Sequence, residues 1–395
     1  MKIVLRAALI PFFSFLIVSV RAQSSDLINL EFGTLDNFDI ATWNLEFFPK
    51  EDQTTIDFMV ELVEELELDV IAIQEIDDAE AFQDLIDLFQ GYDGVYQSDD
   101  FLKLGYLYNV QSVEVNEVYN IFEGGNFGNP FPRRPMVMEL TFMGEHDFVV
   151  INNHFKCCGN GVLNDDDFWD EETRRAYASQ LLKDYMDSFH PDDNVIMLGD
   201  LNDLLIDNLS NNVFAVFYED SENYKFADQE IALGPSSQWS FPSWPSHLDH
   251  ILISNELFSA LDDDDSRIET IQIDEFFPGG FDGYEDNVSD HLPVAFGFNP
   301  NNLVPLSSSG TNGNNDRATL FPNPSNGKFF VSGLSESKSG VLRVFNQYGQ
   351  TVEEMIWANG ADRVELDLRD QSKGIYIIEF TAGSNDVTYK KAVVR

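Results

Sequence analysis

Cysteine is almost absent from this 395-residue chain: the two present, Cys157 and Cys158, are adjacent. That excludes a disulfide scaffold and a cysteine-rich zinc site. Basic side chains are scarce, 23 Lys and Arg against 69 Asp and Glu, a formal charge of −46. No apolar run is long enough to cross a bilayer, which argues against an integral membrane protein. Internal repeats are missing too, so the chain is not a solenoid or a propeller.

What is present is core-forming material, with 43% hydrophobic residues and 34 Phe. The length predicts about two domains, and the charge says where they divide. Residues 23–316 carry 10 basic and 60 acidic side chains, whereas Arg317–Arg395 carries 10 and 9. So acidic a body has no long-range attraction for nucleic acid or an anionic membrane. A phosphate ester could be its substrate only if metal ions neutralised the charge; otherwise the acidity reads as a solvated surface.

The N-terminus reads as an export signal over residues 1–22: Lys2 and Arg6, an apolar stretch from Ala7 to Val20, and a cleavage site before Gln23. Export places the mature chain in an oxidising space. From Asp36 to Phe298, short apolar runs alternate with amphipathic segments. Phe38–Phe47, Val70–Gln74, Leu104–Tyr108, Phe148–His154, Val195–Gly199, His247–Ser254 and Leu292–Phe298 read as strands. Thr55–Leu66, Ala79–Phe89 and Thr173–His190 read as helices, and the alternation predicts a mixed α/β domain over 23–298. A linker rich in Asn, Ser and Gly follows at 299–318. Residues 319–395 hold short β-forming segments separated by turns, a small all-β sandwich with no cluster of catalytic residue types.

Polar residues gather at the strand boundaries. They are Asn44 after Trp43, Glu75 after Ile73-Gln74, and His154 after Asn152-Asn153. Gly199-Asp200-Leu201-Asn202, Leu248-Asp249-His250 and Ser289-Asp290-His291 complete the set. Side chains at strand ends converge on one rim of a sheet. Asn, Asp and Glu together are hard oxygen donors suited to Mg²⁺, Mn²⁺ or Ca²⁺. A His beside an Asp supplies a base near neutrality. Dication and His–Asp pair together are the apparatus of phosphate-ester hydrolysis.

This ordered set resembles the endonuclease/exonuclease/phosphatase superfamily, the deoxyribonuclease I-like enzymes, over Asp36–Phe298. The resemblance implies a four-layer α/β sandwich, two packed β-sheets flanked by helices. It implies Glu75 as the principal metal ligand, with Asn44 in support and Asp290 beside it. Asp200 and Asn202 would orient water and the scissile phosphate. His291, held by Asp290, would be the base, a role some schemes give Asp200. His154 would contact a phosphate oxygen, and Asp249 would support the network or a second metal. His250 stands where many relatives carry Arg. Among the scarce cations, Lys103, Arg133, Arg134, Lys156, Arg174 and Arg175 are the pool from which a phosphate-binding rim would be drawn, with Lys103, Arg134 and Lys156, together with His250, the named candidates for the substrate phosphate; the alternative is ordinary surface charge.

Cys157-Cys158 could close a strained vicinal disulfide that stiffens the loop after His154, or remain two buried thiols. The aromatics from Trp239 to Trp244 could stack a base, insert toward lipid or pack in the core. The acidic runs Asp165–Asp167 and Asp262–Asp265 lack defined ligand spacing and read as solvated loops. The segments Leu320-Phe321-Pro322-Asn323-Pro324 and Tyr389–Arg395 resemble the C-terminal sorting domain of type IX secretion in Bacteroidetes, which implies the type IX secretion machinery as partner. The whole predicts a secreted or cell-surface, divalent-metal-dependent phosphodiesterase, in first place a nuclease acting on nucleic acid. A phosphatase or sphingomyelinase of the same fold, or an inactive adhesive protein, is the alternative.

Overall fold

In a computed structural model of the chain, the described residues are 30–98, 101–122, 130–303 and most of 319–394. Residues 1–22, read above as an export signal, and most of the expected linker fall outside them. The elements run, in order, β1 (Phe38–Phe48), α1 (Asp52–Leu66), β2 (Val70–Ile76), α2 (Ala79–Leu88), β3 (Tyr92–Tyr96), β4 (Lys103–Asn109), β5 (Val113–Asn120), β6 (Met136–Phe142) and β7 (His146–His154). Then come α3 (Glu171–Phe189), β8 (Val195–Asp200), α4 (Ala215–Tyr218), β9 (Tyr224–Phe226), α5 (Gln229–Leu233), β10 (Asp249–Ser254), α6 (Phe258–Leu261), β11 (Arg267–Thr270), α7 (Gly280–Asn287) and β12 (Val294–Phe298).

Two six-stranded mixed sheets result, ordered β11-β12-β1-β2-β4-β3 and β5-β6-β7-β8-β10-β9. The period-two alternation of the strands assigns each face. Phe38, Ile40, Val70 and Ala72 from the first sheet meet Val150, Ile196, Leu198 and Ile251 from the second in one inner core. The alternate residues Ala41, Trp43, Ile71 and Ile73 pack outward on α1 and α2 through Met59, Leu62, Phe82 and Leu85. On the other side, Ile151, Val195 and Met197 pack on α3 through Leu182 and Met186. The four-layer α/β sandwich expected above is what forms. Both faces of β1, β2 and β8 are covered, so these strands carry nearly unbroken apolar runs.

Expected helices and strands agree with the observed ones within a few residues. Strands β3, β5, β6, β9 and β11 were not expected. Strand β5, VEVNEVYN, has an outer face of Glu and Asn, which hides the apolar period. The tail builds strands Thr319–Phe321, Lys328–Ser332, Gly340–Asn346, Thr351–Trp357, Arg363–Asp367, Gly374–Ala382 and Asp386–Val394. They form a three- and a four-stranded sheet around Phe329, Val331, Leu342, Val344, Leu366 and Ile378.

Candidate functional site

Parallel pairing aligns Asn44 with Gln74 at the ends of β1 and β2, and His154 with Asp200 at the ends of β7 and β8. Antiparallel pairing sets Asp249 opposite Asp200. The two sheets therefore deliver their polar termini to a common rim. The backbone there is unusual: Glu75 has φ +65° and Asn202 φ +54°, left-handed values that non-glycine residues seldom adopt. Such strain persists where the surrounding structure enforces it, often at functional sites.

Asn44 Nδ2 donates to Asp200 Oδ2 at 2.9 Å and to Glu75 Oε1 at 3.3 Å, while its Oδ1 accepts from Glu46 N. Asn44 is thus placed as a donor bridging two carboxylates. Glu75 Oε2 accepts from Phe47 N at 3.2 Å. His154 Nε2 lies 3.4 Å from Asp200 Oδ2 and 3.6 Å from Glu75 Oε1. Asp200 Oδ1 accepts from Asn202 N, which holds the Asn202 side chain beside the Phe155 carbonyl.

His291 arrives on the loop after α7. Ser289 Oγ donates to the Asn44 carbonyl at 2.6 Å and Tyr284 Oη to the His291 carbonyl at 2.6 Å, with Trp43 Nε1 donating to that same hydroxyl. Trp43 and Ser289 flank motif residues in the sequence, but Tyr284, which joins them in pinning the loop, has nothing in the sequence to set it apart from other tyrosines. His291 Nδ1 lies 2.7 Å from Asp249 Oδ2, whereas Asp290 Oδ1 is 3.8 Å from the other ring nitrogen. The carboxylate that holds His291 is Asp249, not Asp290 as the sequence order suggested. Asp290 stays 3.8 Å from the ring, while the pairing of β10 with β8 brings Asp249 within hydrogen-bond distance of it. The ring also packs on Phe241, centroids 4.8 Å apart.

Charge and burial set the protonation of this group. Burial pushes the Asp200 carboxyl up to about 7, opposed by His291 and reinforced by Asp249. Burial alone would lower His291, but the charge and hydrogen bond of Asp249, with Asp200 and Asp290, more than offset it and hold the ring protonated. His154 is driven well below 6.5 by burial and by the neighbouring Arg133 and His291, so it is a neutral imidazole. Asp290 is raised to about 6, chiefly by burial.

Other candidates stand elsewhere. His250 is fully buried and turned inward, its Nδ1 2.6 Å from Asp228 Oδ2 and its Nε2 2.9 Å from the Asp203 carbonyl. It cannot reach a phosphate, because successive β-residues face opposite sides and Asp249 takes the rim. Lys103 Nζ donates to the Asp77 carbonyl at 3.3 Å and Lys156 Nζ to the Cys157 carbonyl at 2.9 Å. Arg133 is a cation felt by Glu75 and Asp200. Arg175 is buried, its Nε on Asp203 at 2.7 Å and its Nη1 on the carbonyls of Lys156 and Cys158, both at 2.7 Å. The cysteines are unbridged, their Sγ atoms 2.8 Å apart with Cys158 exposed; Arg175, not a disulfide ring, fastens this loop. Trp244 is 77% exposed on the hairpin whose base, Phe241, packs on His291.

The group suits a hard divalent cation. Four carboxylates, Glu75, Asp200, Asp249 and Asp290, surround it, and the buried Asp249 Oδ1, Asn153 Oδ1 and His154 Nδ1 have no hydrogen-bond partner. Asp200, Asp249 and His291 each offer a ligand atom within 4.8 Å of the others. Among the described residues no helix is long and apolar enough to cross a membrane.

Comparison with known proteins gives the following. Residues 319–395 match the secretion system C-terminal sorting domain, which indicates export by type IX secretion to the cell surface or beyond. No curated protein matches the chain. Among solved structures, D. rerio TDP2 humanised by 14 mutations is 15% identical, with TM-score 0.49, covering 67% of this chain and 99% of its own. The human Nocturnin catalytic domain with bound sulfate is 14% identical, TM-score 0.47, covering 67% and 94%. An endonuclease/exonuclease/phosphatase from Bacteroides vulgatus is 14% identical, TM-score 0.47, covering 66% and 98%. The profile of the endonuclease/exonuclease/phosphatase family, whose members are generally phosphoric ester hydrolases and typically need a divalent metal, matches residues 41–291. That match spans more than half the sequence: the chain belongs to the endonuclease/exonuclease/phosphatase family.

Proposed function

We propose that the chain is an exported, divalent-metal-dependent phosphodiesterase that hydrolyses nucleic acid. The observation that carries this reading is the buried Asp249–His291 pair, whose free Nε2 is 4.0 Å from Asp200 Oδ2. Glu75, supported by Asp290 and by Asn44 as its hydrogen-bond donor, would hold the cation. Bound there, a dication offsets phosphate charge and stabilises the leaving oxygen.

The remaining work falls to the chain. Asp200, its carboxyl raised to about 7, accepts a proton from the attacking water at neutral pH. Asn202 orients that water. Protonated His291, its charge balanced by Asp249, donates from Nε2 to a phosphate oxygen as negative charge grows there. Neutral His154 donates to the same group of oxygens, and Arg133 adds a positive charge at the rim. Water adds to phosphorus, its proton passes to Asp200, and the ester oxygen departs. Trp244 and Phe47, 77% and 54% exposed, offer stacking surfaces for unpaired bases, which matters where cations are few.

The net charge of −46 favours a second reading, a small or zwitterionic phosphoester as substrate. Plasmid DNA, RNA, sphingomyelin and a small phosphomonoester, each with and without EDTA, separate the two. Cleavage of DNA or RNA, abolished by EDTA, is expected. Turnover confined to sphingomyelin or the monoester overturns the nuclease reading.

A further inference from the structure

Two more groups of buried charge lie outside the site just described. Asp228, His247 and His250 form a closed network: Asp228 Oδ2 takes both rings, at 3.0 and 2.6 Å, and Oδ1 takes Ile251 N at 2.8 Å. The outer ring nitrogens meet Ser240 N and the Asp203 carbonyl. Every polar atom there is used, so the network is a brace and has nothing left for a ligand.

The group at the start of α3 is different. Asp170 caps the helix, its Oδ2 accepting from Thr173 N at 2.9 Å and from Asn164 N at 3.3 Å. One carboxylate oxygen each from Asp170, Glu171 and Glu172 lies within 4.8 Å of the other two. Acidic residues in a first helical turn have an ordinary explanation in capping and the helix dipole. Glu172 exceeds it. The residue is 1% exposed, and its Oε2 is fully buried without a hydrogen-bond partner. Its Oε1 takes Gly161 N and lies 3.6 Å from Arg175 Nη2. Arg175 spends its other nitrogens on Asp203 and on the Lys156 and Cys158 carbonyls. A buried carboxylate oxygen with no donor is costly, and two further carboxylates close to the same side chain add to that cost.

We infer that Asp170, Glu171 and Glu172 bind Ca²⁺ at a site separate from the catalytic rim. The donors are oxygens only, which selects a hard cation. Six acidic residues between Asp165 and Glu172 against Arg174 and Arg175 leave the segment negative enough to hold one. Its consequence follows from Glu172, which meets the loop after His154 at Gly159 and Gly161. It accepts from Gly161, and a Cβ on Gly159 would come 2.3 Å from its Oε1. A cation on Glu172 therefore ties the loop bearing Lys156 to α3.

The test uses the full chain carrying Glu75→Gln and Asp200→Asn, which weakens cation binding at the catalytic rim, and reads the change that further substitutions at the α3 site make on that background. Tb³⁺ replaces Ca²⁺ as the probe, excited through Trp169, the residue next to Asp170. Expected is Tb³⁺ emission that Ca²⁺ displaces, and a Ca²⁺-dependent rise in Tm. Adding Glu172→Gln should weaken both by about tenfold or more in Ca²⁺ concentration. Should that variant not fold, Glu171→Gln, partly exposed, serves the same purpose. Trp169→Phe should remove the emission and keep the Tm rise. Displacement and Tm rise unchanged in the Glu171 and Glu172 variants, or absent from the parent, overturn the site. No readout here depends on phosphodiesterase activity, so its failure is distinct from failure of the proposed function.

Discussion

His291 shows how much one carboxylate decides. The ring is held protonated because Asp249 lies 2.7 Å from Nδ1, outweighing a burial that alone would discharge it. Replacing Asp249 by Asn keeps shape and volume but removes that charge, so Nε2 no longer carries a cation to the phosphate. Asp249→Asn should lower kcat by about 10²–10³-fold with little change in KM, the scale of a lost charge-stabilising donor. Asp290→Asn, whose oxygen is 3.8 Å from the ring, should cost less through His291. Single-turnover rates on the preferred substrate compare the two, and equal losses would return the supporting role to Asp290. The sequence offered Asn44, Glu75, His154, Asp200, Asp249 and His291 as candidates through their places at strand ends, and the structure brings them to one rim. The sequence did not disclose which acid pairs with which base. That depends on β10 lying beside β8, a pairing across 49 residues that no local pattern records. His250 misled for the same reason: a histidine beside a motif aspartate looks catalytic until the strand's alternation turns it inward.

At the level of elements, β1 and β2 are joined at the end away from the candidate site by a buried acidic pair. Asp39 N donates to Asp69 Oδ2 at 2.9 Å, and Asp39 Oδ2 accepts from Thr34 N at 2.7 Å. Burial raises the Asp39 carboxyl to about 7, partly opposed by Thr34 N and reinforced by Asp69, and it raises Asp69 to about 6. An unfolded chain releases these protons near pH 4. From there to pH 7 the folded chain binds more protons than the unfolded one, so stability falls as pH rises, by up to about 1.4 kcal/mol per pH unit for each retained proton. Asp39→Asn is neutral throughout and still accepts from Thr34. Its Tm should therefore fall less than that of the parent between about pH 4 and 7, the window the two raised carboxyls span. Thermal melts across that range decide it, and parallel curves would show that Asp39 is ionised in the folded chain. The elements themselves were largely legible. β1, β2 and β8 are buried on both faces and announce themselves as apolar runs, and α1 and α2 by their three- and four-residue spacing. β3, YDGVY, and β11, RIET, are short and half-exposed, and their pairing with β4 and β12 is supplied by tertiary contact.

For the molecule as a whole, the governing quantity is a charge of −46 brought against the proposed substrate, nucleic acid, itself a polyanion. Within the catalytic part only ten cations exist, and Arg175, Lys183 and Arg267 are committed to Asp203, to Asp187 and Asp220, and to Glu269. A nucleic acid approaching the rim is therefore repelled at long range and held only at close quarters. The Debye length is about 30 Å at 0.01 M and about 10 Å at 0.1 M salt. Raising NaCl between those limits should shorten the repulsion more than it weakens contacts at the site. At fixed Mg²⁺, kcat/KM on DNA or RNA should accordingly rise with moderate ionic strength, then fall once cations compete for the phosphates. A small phosphodiester with a single negative charge feels far less of the field and should show a flatter curve on the same enzyme. A monotonic decrease on nucleic acid from the lowest salt upward would mean that local cations such as Arg133 dominate the encounter and that the acidity lies elsewhere on the surface.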